Sequence, residues 1–292
     1  MERFAFAGRT CVITGAASGI GAALALNIAA RKARLVLVDR DAGGLERVAR
    51  LCREVGAPVV DEHVIDLADG GDRLDLAAAV ASRHGGADLL INNAGVTMTG
   101  TFEQNSMADF DWLLEINLHA PIRLTKAFLP QLLRRRGGHV VAISSLFGLF
   151  APAGQVAYAT SKFGLRGFTE ALRHELRPRG VGVTVVHPGG IRTNIAISAR
   201  RSEPDPDGTQ AADALRFTER ALRMPPEEAA RQIVAAVQSR RPRLVITGAA
   251  RAIDAMVRLM PARYWNLAET VASRLEGSGT ARRRPVPPAG RA

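Results

Sequence analysis

The chain has 292 residues, 47% of them hydrophobic and 23% charged, which is the balance of a globule with a full core built as one large α/β domain or two small ones. Its net charge of +11 rests on thirty-six arginines and only three lysines, and its two cysteines, Cys11 and Cys52, are too few for a disulfide framework and read as reduced structural thiols. No apolar run reaches the roughly 18 residues that span a bilayer, and MERFAFAGRT lacks the apolar stretch of a signal peptide, so the expected address is cytoplasmic.

In chain order, residues 10–14 (TCVIT) predict a short buried strand, followed by a glycine-rich turn and a helix from Ile20 to about Lys32. RLVLVDR (34–40) is a second continuous apolar run, and GGLERVARLCREV (43–55) has helical periodicity. Strand PVVDEHVID (58–66), helix LDLAAAVASRHG (74–85) and strand ADLLINNAG (87–95) come next. One long helical segment, FDWLLEINLHAPIRLTKAFLPQLLRRR (110–136), leads to strand GHVVAISS (138–145). A helix carrying YATSK precedes the strands VGVTVVHP (181–188) and RLVIT (243–247). Buried parallel strands read as unbroken apolar runs rather than alternating ones. Such strands alternating with helices argue for a doubly wound parallel sheet with helices on both faces.

Two local patterns carry chemistry. In TGAASGIG (14–21), glycines at 15, 19 and 21 permit a tight turn and close backbone approach to a pyrophosphate, with free N–H groups at the following helix N-terminus. Asp39 ends the second strand eighteen residues after Gly21, where a carboxylate accepts hydrogen bonds from ribose hydroxyls and repels a 2′-phosphate. That favours NAD over NADP, although Arg40 next to it could hold a phosphate instead. In YATSK, Tyr158 and Lys162 stand four residues apart, on one face of a helix. Random scattering of two tyrosines and three lysines gives about 0.02 such pairs. The six histidines (63, 84, 119, 139, 174 and 187) show no metal-ligand spacing and read as structural or surface residues, so no metal is expected.

TGAASGIG, NNAG (92–95), Asn117, the serine pair 144–145, YATSK and HPGGIRT (187–193) occur in one order. In this the chain resembles the classical short-chain dehydrogenase/reductase family over roughly residues 8–195. The resemblance implies a Rossmann-type sheet of about seven strands, a nicotinamide cofactor and alcohol–ketone chemistry. It implies catalytic roles for Asn117, Ser145, Tyr158 and Lys162, with Ser145 preferred to Ser144 by its distance from Tyr158. It implies cofactor contacts from Gly15, Ser18, Gly19, Ile20, Gly21, Asp39, Arg40, Asp66, Leu67, Asn93, Ala94, Gly95, Tyr158, Lys162, Pro188, Gly189, Ile191 and Thr193. Tyr158 is then the acid/base, its high phenol pKa lowered by Lys162. Ser145 stabilises the substrate oxygen, and Asn117 positions a water leading to Lys162. A homodimer or homotetramer is the implied assembly.

On these readings residues 1–249 form the catalytic domain, with a substrate loop at about 192–224, residues 250–276 a helical extension and 277–292 a disordered tail. Within the domain, SEPDPDG (202–208) reads as a turn-rich loop. Leu146, Phe147, Phe150 and Met98 suit an apolar pocket for a small hydrophobic alcohol or ketone. The extension reads as two helices broken at Pro261, with packing on the domain, a lid, or peripheral contact with an anionic membrane as alternatives. From Arg200 onward the chain has seventeen arginines, no lysine and ten acidic residues, which is +7 of the total charge. A ketoacyl reductase using NADPH on an acidic carrier protein or coenzyme A suits that charge, whereas Asp39 argues against it. A non-catalytic nucleotide sensor is the third alternative, opposed by the complete Ser145–Tyr158–Lys162 set. Nucleic-acid binding is not expected, since no binding motif accompanies the dispersed arginines.

Overall fold

The computed structural model of the protein describes residues 2–69, 72–135, 137–195, 198–201 and 222–265. Its strands are β1 (Thr10–Thr14), β2 (Arg34–Asp39), β3 (Val60–Val64), β4 (Leu89–Asn92), β5 (Met98–Thr99), β6 (His139–Ile143), β7 (Gly182–His187), β8 (Arg200–Arg201) and β9 (Arg243–Val245). Seven of them form one parallel sheet in the order β3-β2-β1-β4-β6-β7-β9, the architecture expected from the apolar runs. Side chains alternate between its two faces. Cys11, Ile13, Leu35, Leu37, Leu89 and Ile91 enter one core, while Val12, Val36, Val38, Leu90, Val140 and Val183 enter the other. Both faces are covered at the centre, so β1, β4, β6 and β7 are buried along their whole length, while the edge strand β3 (VDEHV) mixes buried and more exposed residues.

The helices are α1 (Gly19–Ala29), α2 (Ala42–Glu54), α3 (Asp72–His84), α4 (Met107–Leu114), α5 (Ala120–Arg134), α6 (Val156–Leu176), α7 (Pro226–Gln238) and α8 (Gly248–Leu259). The first core lies against α1, α2 and α7, and the second against α3, α5 and the end of α6. α1 stops at Ala29 rather than Lys32, because the chain turns there and Lys32 takes a left-handed φ of 58° to enter β2. The long segment 110–136 is not one helix. It begins at Met107, where the Ser106 hydroxyl accepts the Asp109 N–H and caps α4. It is then interrupted by a five-residue π turn, Glu115–His119. Pro121 has no N–H to give the Asn117 carbonyl four residues earlier, so the α-helical ladder cannot run unbroken through this point. π turns inserted in helices gather at functional sites.

β5 and β8 form a separate parallel pair that ties the segment after HPGGIRT to the segment after NNAG. Arg200 holds it down, with its guanidinium 3.0 Å from Asp109 and 4.7 Å above the Trp112 ring. α8 begins just before the expected boundary at residue 250. Residues 202–208, most of the expected substrate loop, the second helix of the extension and the tail at 277–292 lie outside the described residues. Both cysteines are free and buried, and burial pushes the Cys52 thiol up to about 12. Among the described residues no helix is long and apolar enough to cross a membrane.

Candidate functional site

β2 leaves β1 on one side and β4 leaves it on the other, so a crevice opens beyond the carboxyl ends of β1 and β4. The glycine turn occupies one wall. Gly15 and Gly19 adopt left-handed φ values of 66° and 54°. A methyl group on Gly21 would stand 1.9 Å from the Gly15 carbonyl oxygen, so α1 packs onto the turn at a distance only glycine allows. Ser18 sits at the N-cap of α1 but makes no capping bond, and Ile20 packs against the core beneath. Thr193 lies against Gly19, close enough that a Cβ there would meet its methyl at 3.2 Å, which brings HPGGIRT to the same wall. Within that turn Ile191 is buried and bridges to Met224, Gly189 leaves room for Ala250, and the Pro188 carbonyl accepts the Leu146 N–H.

Asp39 closes the far end. One carboxylate oxygen accepts the Ala17 N–H at 2.9 Å, and the other accepts the Asp41 N–H at 3.1 Å. Arg40 points to Asp66 instead, 3.7 Å away on an exposed surface, and Asp66 also accepts the Ala68 N–H. The Leu67 side chain belongs to the second core. Asn93 is drawn to the turn, its amide donating to the Thr14 and Gly15 carbonyls. The Thr14 hydroxyl accepts the N–H groups of both Asn93 and Ala94. Thr14 is thus a clasp between β1 and β4 that motif reading passed over.

The second cluster lies one step along the sheet. Lys162 is buried on α6, its ammonium 3.2 Å from the Ile143 carbonyl and 5.6 Å from the centroid of the Tyr158 ring. The Ser145 hydroxyl accepts the Phe147 N–H at 3.1 Å and lies near enough to Tyr158 to draw on its phenol. Ser144, the neighbouring serine, turns away and donates to the Lys162 carbonyl at 2.9 Å. Asn117 is fully buried within the π turn, where its side chain grips both the N–H and the carbonyl of Val96 at 2.8 Å and donates to Ser161. A Cβ on Gly95 would stand 3.3 Å from both the Asn117 Oδ1 and the Lys162 Nζ, so NNAG passes close to both side chains.

Burial reverses one expectation. The phenol of Tyr158 is pushed up, not down, because its charged form loses solvation, although the Ser145 hydroxyl pulls the other way. The Lys162 ammonium is pushed down to about 8 by the same burial.

The expected pocket residues divide. Phe147 sets its edge on Tyr158 at 6.0 Å, and Phe150 stacks near Phe147, Tyr264 and Trp265 at 6.3, 5.5 and 5.7 Å between centroids. Leu146 is half-buried beside them. Met98 is 2% exposed and packs with Leu113 and Ala157 beneath Tyr158, so it supports the site and does not line it. Among the described residues no group of histidine, cysteine or acidic side chains could hold a metal ion.

The sequence model of the short chain dehydrogenase family matches residues 9–204. SadH of Mycobacterium tuberculosis, assigned as an oxidoreductase, is 40% identical over 265 residues, covering 90% of this chain and 94% of that one. A short chain dehydrogenase/reductase from Burkholderia phymatum in complex with NAD superposes with a TM-score of 0.80 at 31% identity, over 87% of this chain and 94% of its own. A metagenomic short-chain oxidoreductase in complex with NADP gives a TM-score of 0.67 at 30% identity, over 84% and 99% of the two chains.

Proposed function

The chain belongs to the short-chain dehydrogenase family and is an oxidoreductase, and from that premise we propose that it interconverts a secondary alcohol and a ketone on a hydrophobic substrate, with NAD as cofactor. The observation that carries this reading is Tyr158 beside the buried Lys162 ammonium, 5.6 Å from its ring, with Ser145 acting on the phenol and the left-handed glycine turn at the head of α1 next to them.

The wall of glycines, the uncapped Ser18 and the N-terminus of α1 fit the phosphates of a dinucleotide. Asp39, held by two backbone N–H groups, fits the ribose hydroxyls, and its charge opposes a 2′-phosphate. Arg40 is engaged by Asp66, which weakens a cation that would offset that charge. A bound nicotinamide supplies or accepts the hydride at the substrate carbon. Tyr158 takes the hydroxyl proton in oxidation and returns it in reduction. Ser145 donates to the substrate oxygen as charge grows there. The Lys162 charge stabilises the phenolate. The side chain of Asn117 is committed to Val96 and Ser161, so any part Asn117 plays in proton exchange falls to its main-chain carbonyl. The aromatic run from Tyr158 through Phe147 and Phe150 to Trp265 supports an apolar substrate body.

The test is turnover on a panel of secondary alcohols, run with NAD and with NADP. Hydrophobic alcohols are expected to react and small polyols not; turnover confined to polyols overturns the substrate reading. Asp39→Ala is expected to weaken NADH binding by about 10- to 100-fold, the equivalent of one lost charge-assisted hydrogen bond at roughly 1.5–3 kcal/mol. Fluorescence titration against NADH and NADPH reads this as a ratio, so loosening of the turn common to both cancels. An unchanged ratio overturns the assignment of NAD.

A further inference from the structure

We infer that His187 is a positioning residue for Ser145, holding the serine's backbone so that its hydroxyl stays aimed at Tyr158. This rests on the role given to Ser145 above. His187 ends β7 and is fully buried. Its Nδ1 lies 3.0 Å from the Ser145 carbonyl oxygen. An acceptor at that position requires the proton on Nδ1 and leaves Nε2 as a lone pair.

Three features separate this contact from ordinary packing. Ser145 already has its carbonyl satisfied by the Gly148 N–H at 3.0 Å, so the imidazole is not needed to prevent an unpaired group. The backbone on either side is already joined, Ser144 N–H to the Val186 carbonyl and Leu146 N–H to the Pro188 carbonyl, both at 2.8 Å. Ser145 itself is the one link of the three made by a side chain. Finally, Nε2 is buried with no partner, a destabilising feature that an apolar residue of similar size would lack. A fold selected for stability alone has no use for a histidine here. A rigid, directional donor to the catalytic serine gives it one.

The surroundings keep the imidazole in the required form. Burial pulls its pKa down to about 4, and the charges of Arg243 and Arg166 act in the same direction. The Ser145 carbonyl and Glu170 pull the other way without prevailing. The ring is therefore neutral over the whole working range, and it does not itself carry protons for the reaction.

The experiment compares His187→Leu, which deletes the donor, with His187→Asn, whose amide places an N–H near the position of Nδ1. In the leucine variant kcat is expected to fall about 10- to 100-fold, the scale of a small misplacement of a reacting group. KM and NADH affinity stay near their original values. The pH midpoint for oxidation moves up, because the Ser145 hydroxyl that draws the Tyr158 phenol down is displaced. His187→Asn recovers most of the loss. The melting temperature of the leucine variant is not lower than that of the asparagine variant, since an unpartnered buried nitrogen has been removed. Full activity of His187→Leu, or equal failure of both variants, overturns the inference. An original protein inactive on every alcohol and ketone overturns the proposed function and this inference together, whereas an active one with a fully active leucine variant overturns this inference alone.

Discussion

Tyr158→Phe is expected to lower turnover by about 10²- to 10⁴-fold, the usual worth of a positioned acid/base, with NADH affinity preserved. The substitution removes one oxygen and keeps the ring, so the edge contact with Phe147 and the ammonium of Lys162 near the ring face both remain. What is lost is the phenol oxygen on which the Ser145 hydroxyl acts. The sign of the pH dependence follows from the same contacts. Oxidation needs the phenolate, so its rate rises with pH through the phenol's pKa, which burial places above the ordinary tyrosine value. Ser145→Ala removes the hydroxyl that draws the phenol back down, and the midpoint is expected further up still. Steady-state rates across pH, together with NADH titration, check both statements. A Tyr158→Phe enzyme that keeps more than about a tenth of its turnover would remove Tyr158 from the mechanism.

Gly21→Ala is expected to disrupt both stability and cofactor binding. An added methyl would stand 1.9 Å from the Gly15 carbonyl oxygen and 2.6 Å from the Asn93 amide nitrogen. Neither can step aside. Gly15 faces the Ala94 backbone so closely that a Cβ on it would stand 2.8 Å from the Ala94 Cα, and Asn93 is bonded to the turn it would have to leave. The clash therefore falls on backbone shared by β1, α1 and β4. Forced overpacking of this kind costs about 3 kcal/mol, which for a domain of this size is roughly 6–12 °C in Tm. The displaced turn also loses the geometry that would cradle phosphates, so NADH binding is expected to become too weak to saturate. The control is Gly167→Ala, an exposed position inside α6 with nothing within 4 Å of the new methyl. That change is expected to stabilise by about 0.5–1 kcal/mol. Thermal melts and NADH titration on the two variants separate a local clash from a general intolerance of alanine. A Gly21→Ala protein that melts and binds like the original would mean that α1 can move off the turn.

Several features of the site could be read from residues alone. The strands at 10–14, 34–39 and 89–92 announce themselves as unbroken apolar runs, and the glycine turn and the Tyr158–Lys162 pair are short spacings along one element. Other features could not. Ser144 and Ser145 are identical in type and adjacent, and only the packing of α6 against β6 sends one hydroxyl to the Lys162 carbonyl and the other to Tyr158. Asn93 and Thr14 are nearly eighty residues apart, so their clasp is invisible until β4 lies beside β1. His187 is one histidine among six until β7 buries it behind Ser145.

The sequence by itself determined the fold class and the stretches where the chemistry is carried, because apolar periodicity, turn glycines and helical spacings are local properties that backbone geometry translates directly. Tertiary structure alone decided the direction of the Tyr158 and Lys162 shifts, the break in helix 110–136 around Asn117 and the setting of His187. Those depend on how much solvent each group loses and on which distant backbone atoms arrive beside it. Desolvation and long-range hydrogen bonding are properties of the packed molecule, not of any segment of it.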